Sequence, residues 1–326
     1  METAAVKRIA VLTSGGDAPG MNAAVRAVVR AGLDKQVEVY GIRQAFQGLL
    51  AGDIALLSGR EVSGILQRGG TVLQTARNEE FKTAAGQRKG RRRLNERGIE
   101  GVIVIGGDGS LRGALALHDM GVPVIGIPAS IDNDIWGTDT SIGVDTALNT
   151  ILDAVDRLRD TATSHNRAFV IEVMGHDCGY LAVMGGILGG AEIVVTPENG
   201  VTMNEIAVAL EDAYVRGKSH AIAILAEGAP YQGPELAAFL QQKHIGFEIR
   251  LTILGHTQRG GSPTAFDRLL ATSMGVYAVD LLLSGASGMM VSRVGRDQKP
   301  VSLAECSART RQITPEYFGL AKMLSR

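Results

Sequence analysis

Short apolar runs recur along the chain, spaced so that each gap between them can hold a helix. Residues 8–13, 37–42, 101–105, 123–127, 169–173, 193–195, 220–226 and 289–294 are mostly apolar and are bounded by Gly, Pro or Asp. Runs of this length and make-up predict strands buried on both faces. Between them, residues 21–33, 111–120, 144–161, 204–216 and 265–284 repeat apolar positions every three or four residues. That period predicts helices with one buried stripe. Strand and helix in alternation imply mainly parallel sheets with helices on both faces, because a parallel pair needs a long crossover. In such sheets ligands sit beyond the carboxyl ends of the strands, so the loops leaving strands are where chemistry is expected.

The chain has 326 residues, long for one hydrophobic core, which predicts two packed lobes. No low-complexity linker or internal repeat marks a boundary. Residues 137–143 (GTDTSIG) and the neighbourhood of Gly255 are the plausible crossing points. The 42 glycines show no collagen period, and with aromatics at 4% they suggest many tight turns between strands and helices. A formal net charge of −1 gives no electrostatic case for nucleic acid or a membrane surface. The one basic cluster, Arg88-Lys89-Gly90-Arg91-Arg92-Arg93, reads as the solvated side of a surface helix. Cys178 and Cys306 lack metal-type spacing and read as reduced thiols packed as small hydrophobes. The first strand begins too soon for a signal peptide, and no apolar run reaches the ~18 residues of a membrane helix. The expectation is a soluble, cytoplasmic protein.

Three loops carry the chemistry. The first strand ends in Thr13-Ser14-Gly15-Gly16-Asp17-Ala18-Pro19-Gly20-Met21-Asn22. Gly15 and Gly20 have Walker A spacing, but Met21-Asn22 stand where Lys-Ser/Thr would be required. Phosphate binding by backbone amides and a simple tight turn both remain open there. In the second loop, Ile105-Gly106-Gly107-Asp108-Gly109-Ser110, an acid sits among glycines at a strand end. It suits Mg²⁺ and phosphate, with a helix N-cap as the alternative. Arg112 replaces the last glycine of a dinucleotide fingerprint, which argues against an oxidoreductase. The third loop, Pro128-Ala129-Ser130-Ile131-Asp132-Asn133-Asp134, gathers two acids, an amide and a hydroxyl. Proton abstraction fits this set, and an Asx-rich turn explains only part of it. Arg77, Arg167 and Arg250 appear singly, and residues 254–263 (LGHTQRGGSP) bring His, Arg and paired Gly together.

Taken together, TSGGDAPGMNAAVR, IGGDGS, SIDNDIWGTD, IEVMG and LGHTQRGGSP resemble the bacterial ATP-dependent 6-phosphofructokinase family, motif by motif and in its order. The likeness runs from about residue 8 to about residue 283 and is less distinct beyond. It implies two doubly wound α/β domains, with the active site in the cleft between them. Residues 1–142 and 256–308 would bind ATP, and 143–255 and 309–326 the sugar phosphate. It puts ATP at Gly16, Arg77, Asn78, Gly107, Asp108, Gly109 and Ser110, with Asp108 as the Mg²⁺ residue. Asp132 matches the base for the sugar 1-hydroxyl, flanked by Ser130 and Asp134, with Arg77 also catalytic. Met174, Gly175, His176, Glu227, His256 and Arg259 match positions that contact fructose 6-phosphate. Arg167 and Arg250 match sugar-phosphate contacts from a neighbouring subunit, so activity should need an oligomer; the resemblance implies a homotetramer. Arg26, Arg30, Arg159, Glu192, Arg216 and Lys218 match an effector site for ADP or phosphoenolpyruvate.

Three departures stand out. Ser130 replaces the usual Thr and keeps the hydroxyl. His176 replaces the common Arg, and an imidazole carries a full charge only below about pH 6.5. Gly59 stands where an effector-binding Arg is often found, with Arg60 next to it. Among rivals, a pyrophosphate-dependent phosphofructokinase often has Asp at the position of Gly109 and Lys at that of Ala129. Lipid and NAD kinases share a GGDG-type loop but lack SIDND and HTQRGG. A catalytically silent nucleotide sensor would not need Asp108, Asp132 and Arg77 intact.

Overall fold

The computed structural model describes residues 6–325. The reading that no leader segment precedes the first strand falls on the outermost N-terminal residues and so lies outside the described residues. The strands are β1 (Arg8–Ser14), β2 (Glu38–Ile42), β3 (Ile54–Leu56), β4 (Gly101–Gly106), β5 (Val124–Pro128), β6 (Arg167–Val173), β7 (Ile193–Val195), β8 (Ala221–Ala226), β9 (Glu248–Ile253), β10 (Met289–Val294) and β11 (Asp297–Ser302). The helices are α1 (Met21–Asp34), α2 (Ala45–Ala51), α3 (Ala84–Glu96), α4 (Asp108–Asp119), α5 (Val144–His165), α6 (Tyr180–Gly189), α7 (Met203–Val215), α8 (Gly233–Lys243), α9 (Ala265–Leu283), α10 (Leu303–Ala308) and α11 (Pro315–Leu324).

All eight apolar runs form strands; seven lie inside the two sheets and the eighth, β7, lies at an edge of the second. One sheet has the order β11-β10-β5-β4-β1-β2-β3 and the other β7-β8-β6-β9. Within the first, β2, β1, β4, β5 and β10 are mutually parallel. Its two edges are antiparallel additions, β3 on β2 and β11 on β10. The second sheet is parallel throughout. Every residue of β4, β5 and β8 is buried, as expected of strands covered on both faces.

The strands that leave no apolar run are the edge strands β3, β9 and β11. An edge strand pairs on one side only and needs no continuous apolar sequence. β9 buries few of its side chains and carries Glu248 and Arg250. β11 contains Pro300, a residue that sheets tolerate mainly at edges.

The chain divides into two compact units. The first takes the described residues up to Ser130, then Ile135–Thr146 and Arg259–Arg311. The second takes Ile131–Asp134, Ala147–Gln258 and the residues from Gln312 onward. One boundary falls inside α5, and the acidic tetrad Ile131–Asp134 groups with the second unit. In the first unit, Leu12, Phe46, Leu94, Val104, Leu111 and Met290 belong to one buried cluster. Phe46 stacks on Phe81 with ring centroids 4.2 Å apart. In the second unit, Val170, Leu210, Leu225, Leu236 and Leu240 form the core.

The basic cluster lies on α3 and is solvated, with ion pairs from Lys89 to Glu80 and from Arg92 and Arg93 to Glu96. Both cysteines are buried. Burial pushes the Cys306 thiol up to about 11, so it stays protonated at neutral pH. Trp136, the only tryptophan of the chain, packs on the first unit's core. The Arg309 guanidinium lies 4.6 Å from its ring centroid, beside a bridge between Ile135 and Thr310. No described helix is long and apolar enough to cross a membrane.

Candidate active site

Register brings the three loops side by side. Ser14 of β1 pairs with Gly106 of β4, and Gly106 pairs in turn with Pro128 of β5. Three parallel strands therefore end level, and the loops that follow leave the sheet as neighbours. The glycines make the approach close. A Cβ built on Gly15 would lie 3.1 Å from Ser110 Oγ, and one on Gly107 would lie 3.6 Å from Ser130 Cβ. At Gly16 a Cβ would overlap the guanidinium of Arg259, whose Nη1 donates to the Asp17 carbonyl at 3.4 Å. Arg259, expected among sugar contacts, thus lies against the first Gly-rich loop. Backbone amides and a helix start at such an edge are suited to anionic oxygens.

Asp108 is the first residue of α4. The N-cap is Gly107 and makes no side-chain cap, so the capping role open from sequence does not apply. Its carboxylate pairs with Arg112 at 2.8 Å and is 36% exposed. Among the described residues no group of three or more His, Cys, Asp or Glu could hold a metal. A single accessible carboxylate among backbone amides suits Mg²⁺ that arrives with other oxygen ligands and keeps waters for its remaining positions. Arg77 is exposed. Asn78 Oδ1 accepts from the Phe81 amide at 2.7 Å, holding the 3₁₀ turn at Glu80–Lys82.

Ser130 is buried. Its carbonyl accepts from Ser141 Oγ at 2.7 Å, and Ile142 N donates to the Pro128 carbonyl at 3.1 Å. Next in the chain, Asn133 has φ 53° and is 1% exposed. A left-handed Asn is what an Asx-type turn predicts. The turn leaves Asp132 and Asp134, on either side of it, only partly buried.

In the second unit the loop after β6 is held by two acceptors. Glu227 Oε1 accepts from the amides of Gly175 at 3.2 Å and His176 at 2.7 Å. Gln258 Oε1 accepts from Met174 N at 3.3 Å. His176 is exposed, has φ 52° and sits with Nδ1 3.1 Å from Asp177 Oδ2. His256 is exposed, in the 3₁₀ turn Gly255–Arg259. Arg167 and Arg250 lie on the adjacent strands β6 and β9 and share Glu248, with Arg167 at 2.7 Å. The hydrogen bond from Arg167, helped by the charge of Arg250, holds the Glu248 carboxyl below its usual range.

The expected effector residues fall into two groups. On α1, Arg30 Nη2 donates to the Gly59 carbonyl at 3.0 Å, so the glycine departure lets an arginine lie on bare backbone. Arg26 is half-buried on the same helix. In the second unit, Lys218 pairs with the buried Glu192 at 3.0 Å, and Arg159 Nη2 donates to the Gly189 carbonyl. Arg216 caps the C-terminal end of α7 and is exposed. His220 lies among these charges, and burial pushes its pKa down.

Sequence reasoning passed over Glu248, Gln258 and Asp267. Glu248 was legible as an acid two residues before Arg250, on the same face of a strand. Gln258 stood inside a quoted motif. Asp267 carried only the Thr-x-x-Asp pattern of a helix start.

A parallel α/β chain whose glycine-rich and acidic loops leave neighbouring strand ends has the build of a phosphate-handling enzyme. The phosphofructokinase family model matches residues 8–282. The ATP-dependent 6-phosphofructokinase of Natranaerobius thermophilus is 51% identical over 322 residues, 98% of this chain and all of that one. That of Thermotoga neapolitana is 50% identical over the same shares. Among solved structures, Pichia pastoris phosphofructokinase in the T-state aligns with a TM-score of 0.89 at 37% identity. It covers 94% of this chain, which spans only 36% of the Pichia chain. The chain belongs to the phosphofructokinase family.

Proposed function

We propose that the protein is a cytoplasmic, glycolytic kinase. It transfers the γ-phosphoryl group of ATP to the 1-hydroxyl of fructose 6-phosphate, giving fructose 1,6-bisphosphate and ADP. The observation that carries this reading is identity of about half, end to end, with relatives of that named activity.

In this reading, amides of the Gly15–Gly16 and Gly107–Ser110 loops bind the nucleotide phosphates, with Arg77 and Asn78 beside them. Asp108 would hold Mg²⁺ brought in with ATP; the bound ion neutralises charge on the phosphate oxygens. Asp132 takes the proton of the attacking hydroxyl, while Ser130 and Asp134 orient the base and the sugar. Met174, Gly175, His176, Glu227, His256 and Arg259 hold fructose 6-phosphate. Arg167 and Arg250 reach the sugar phosphate of a neighbouring subunit, so the working enzyme is an oligomer, a homotetramer by its resemblance to the family. A carboxylate is a weak base, so proton transfer comes late, as the oxygen already bonds to phosphorus. Most of the acceleration is positioning and charge neutralisation. Arg26, Arg30, Arg159, Glu192, Arg216 and Lys218 bind ADP or phosphoenolpyruvate as effectors.

Two positions favour ATP over pyrophosphate as donor. Gly109 has open space where a Cβ would stand. Ala129 is a buried methyl and supplies no ammonium where the pyrophosphate-dependent branch often has lysine. A coupled assay with fructose 6-phosphate and either donor tests the reading. Turnover with ATP is expected; turnover with pyrophosphate alone favours the rival, and none with either rejects both. His176→Arg raises the rate above neutral pH by up to about tenfold, the worth of ~1.4 kcal/mol from a permanent charge. A pH–rate profile checks it, and an unchanged profile makes His176 a bystander.

A further inference from the structure

A buried carboxylate in the first unit has no part in the mechanism above. Asp267, in the first turn of α9, is fully buried. Its Oδ1 accepts from Gly143 N at 2.9 Å. Its Oδ2 accepts from Thr146 N at 2.8 Å and from Thr146 Oγ1 at 2.6 Å. The Thr146 hydroxyl itself accepts from Thr264 N at 3.0 Å, which fixes its proton on Asp267. Thr264 Oγ1 donates to Asp145 Oδ2 at 2.6 Å and accepts from Asp267 N at 3.2 Å. Asp267 of α9 therefore caps the start of α5, while Thr264, the N-cap of α9, is tied to Thr146 and Asp145 of α5.

This lock grips the segment that braces the acidic loop. Immediately before Gly143, Ile142 N bonds to the Pro128 carbonyl and Ser141 Oγ to the Ser130 carbonyl. Ala129 and Ile142 form a parallel bridge. Ser130 is covalently followed by Ile131 and Asp132. The other side of the lock is the first Gly-rich loop. Gly20 takes φ 113°, and a Cβ there would stand 2.6 Å from Ile142 Cγ2 and 3.6 Å from Asp267 Cβ. Gly143, at φ 104°, packs the same way on Ala18, 2.7 Å from where its own Cβ would be. One carboxylate thus sits behind the phosphate loop and behind the bracing strand of the base.

We infer that Asp267 is a positioning residue for phosphoryl transfer: through Gly143 and Thr146 it fixes segment 141–146, and through that segment the backbone at Ser130 that presents Asp132. Burial raises its pKa against these hydrogen bonds, with the Asp145 charge adding to the rise. A charge is kept there because all three donors need an acceptor. An amide at this position would turn an N–H towards an N–H. The inference rests on Asp132 being the base.

The test is Asp267→Asn, with Thr146→Val as a milder variant that removes the hydroxyl bonded to Asp267 and to Thr264 N but leaves the carboxylate in place. Asp280→Asn, on the same helix but in a surface ion pair with Lys35, is the control. In Asp267→Asn, kcat is expected to fall roughly 10–100-fold with KM for ATP nearly unchanged. Thr146→Val is expected to fall less, and the control not at all. Hydrogen exchange of peptides spanning 129–143 is expected to quicken in Asp267→Asn at unaltered overall helicity. Wild-type protection of that segment overturns the inference, whether or not the enzyme proves active. A kcat loss matched by an equal loss of folded protein in both variants also overturns it. Absence of wild-type turnover, with exchange still altered, instead rejects Asp132 as base and leaves the lock standing.

Discussion

Replacing Asp132 by serine lowers kcat by roughly 10²–10⁴-fold, the usual worth of a positioned general base, while both KM values move little. The asymmetry follows from the proposed role. Proton removal matters only as the sugar oxygen bonds to phosphorus, so the lost interaction belongs to the transition state. Ground-state binding would rest on Met174, Gly175, Glu227 and the basic side chains, which the substitution leaves alone. Serine is smaller than aspartate and keeps a hydroxyl, so the half-buried turn around Asn133 survives. Steady-state kinetics in the coupled assay decide the matter. An unaltered kcat removes Asp132 from its role, and a rise in KM alone makes it a binding residue.

Gly109→Asp is expected to leave the melting temperature unchanged yet cut kcat/KM for ATP by about a hundredfold. The position is in α4, and a Cβ there meets nothing within 4 Å, so the fold accepts the side chain. The nucleotide does not. Two like charges ~5 Å apart at an effective dielectric of ~20 repel by about 3 kcal/mol, which is roughly 10²-fold in rate. Thermal melts and kinetics with ATP check both halves. Full activity with ATP would show that the nucleotide phosphates lie away from Gly109. A lowered melting temperature would point to a folding cause.

The central strands were legible because burial on both faces demands unbroken apolar runs, as in Val102–Ile105 and Ala221–Ala226. The edge strands β3, β9 and β11 were not. β9 alternates Glu248 and Arg250 with apolar residues, and β11 accepts a proline, so neither shows a run. Within the site, the loop motifs stood out because each joins glycine or acid to a strand end. The supports of those loops were hidden. Gln258, Glu248 and Asp267 act through partners 84, 81 and 124 positions away, and local spacing carries no trace of such pairings. Gly59 shows the converse: its departure was visible in sequence, but the arginine that occupies its backbone was visible only in the fold.

Trp136 gives the acidic loop a built-in chromophore. It follows Asp134 by two residues and lies under the Arg309 guanidinium. With no second indole in the chain, its emission comes from that one place. A cation over the ring and a strand bridge at its shoulder make the signal sensitive to small shifts of the loop's exit. Ligand titrations can therefore follow the loop in the unlabelled protein, separating substrates that move it from those that do not.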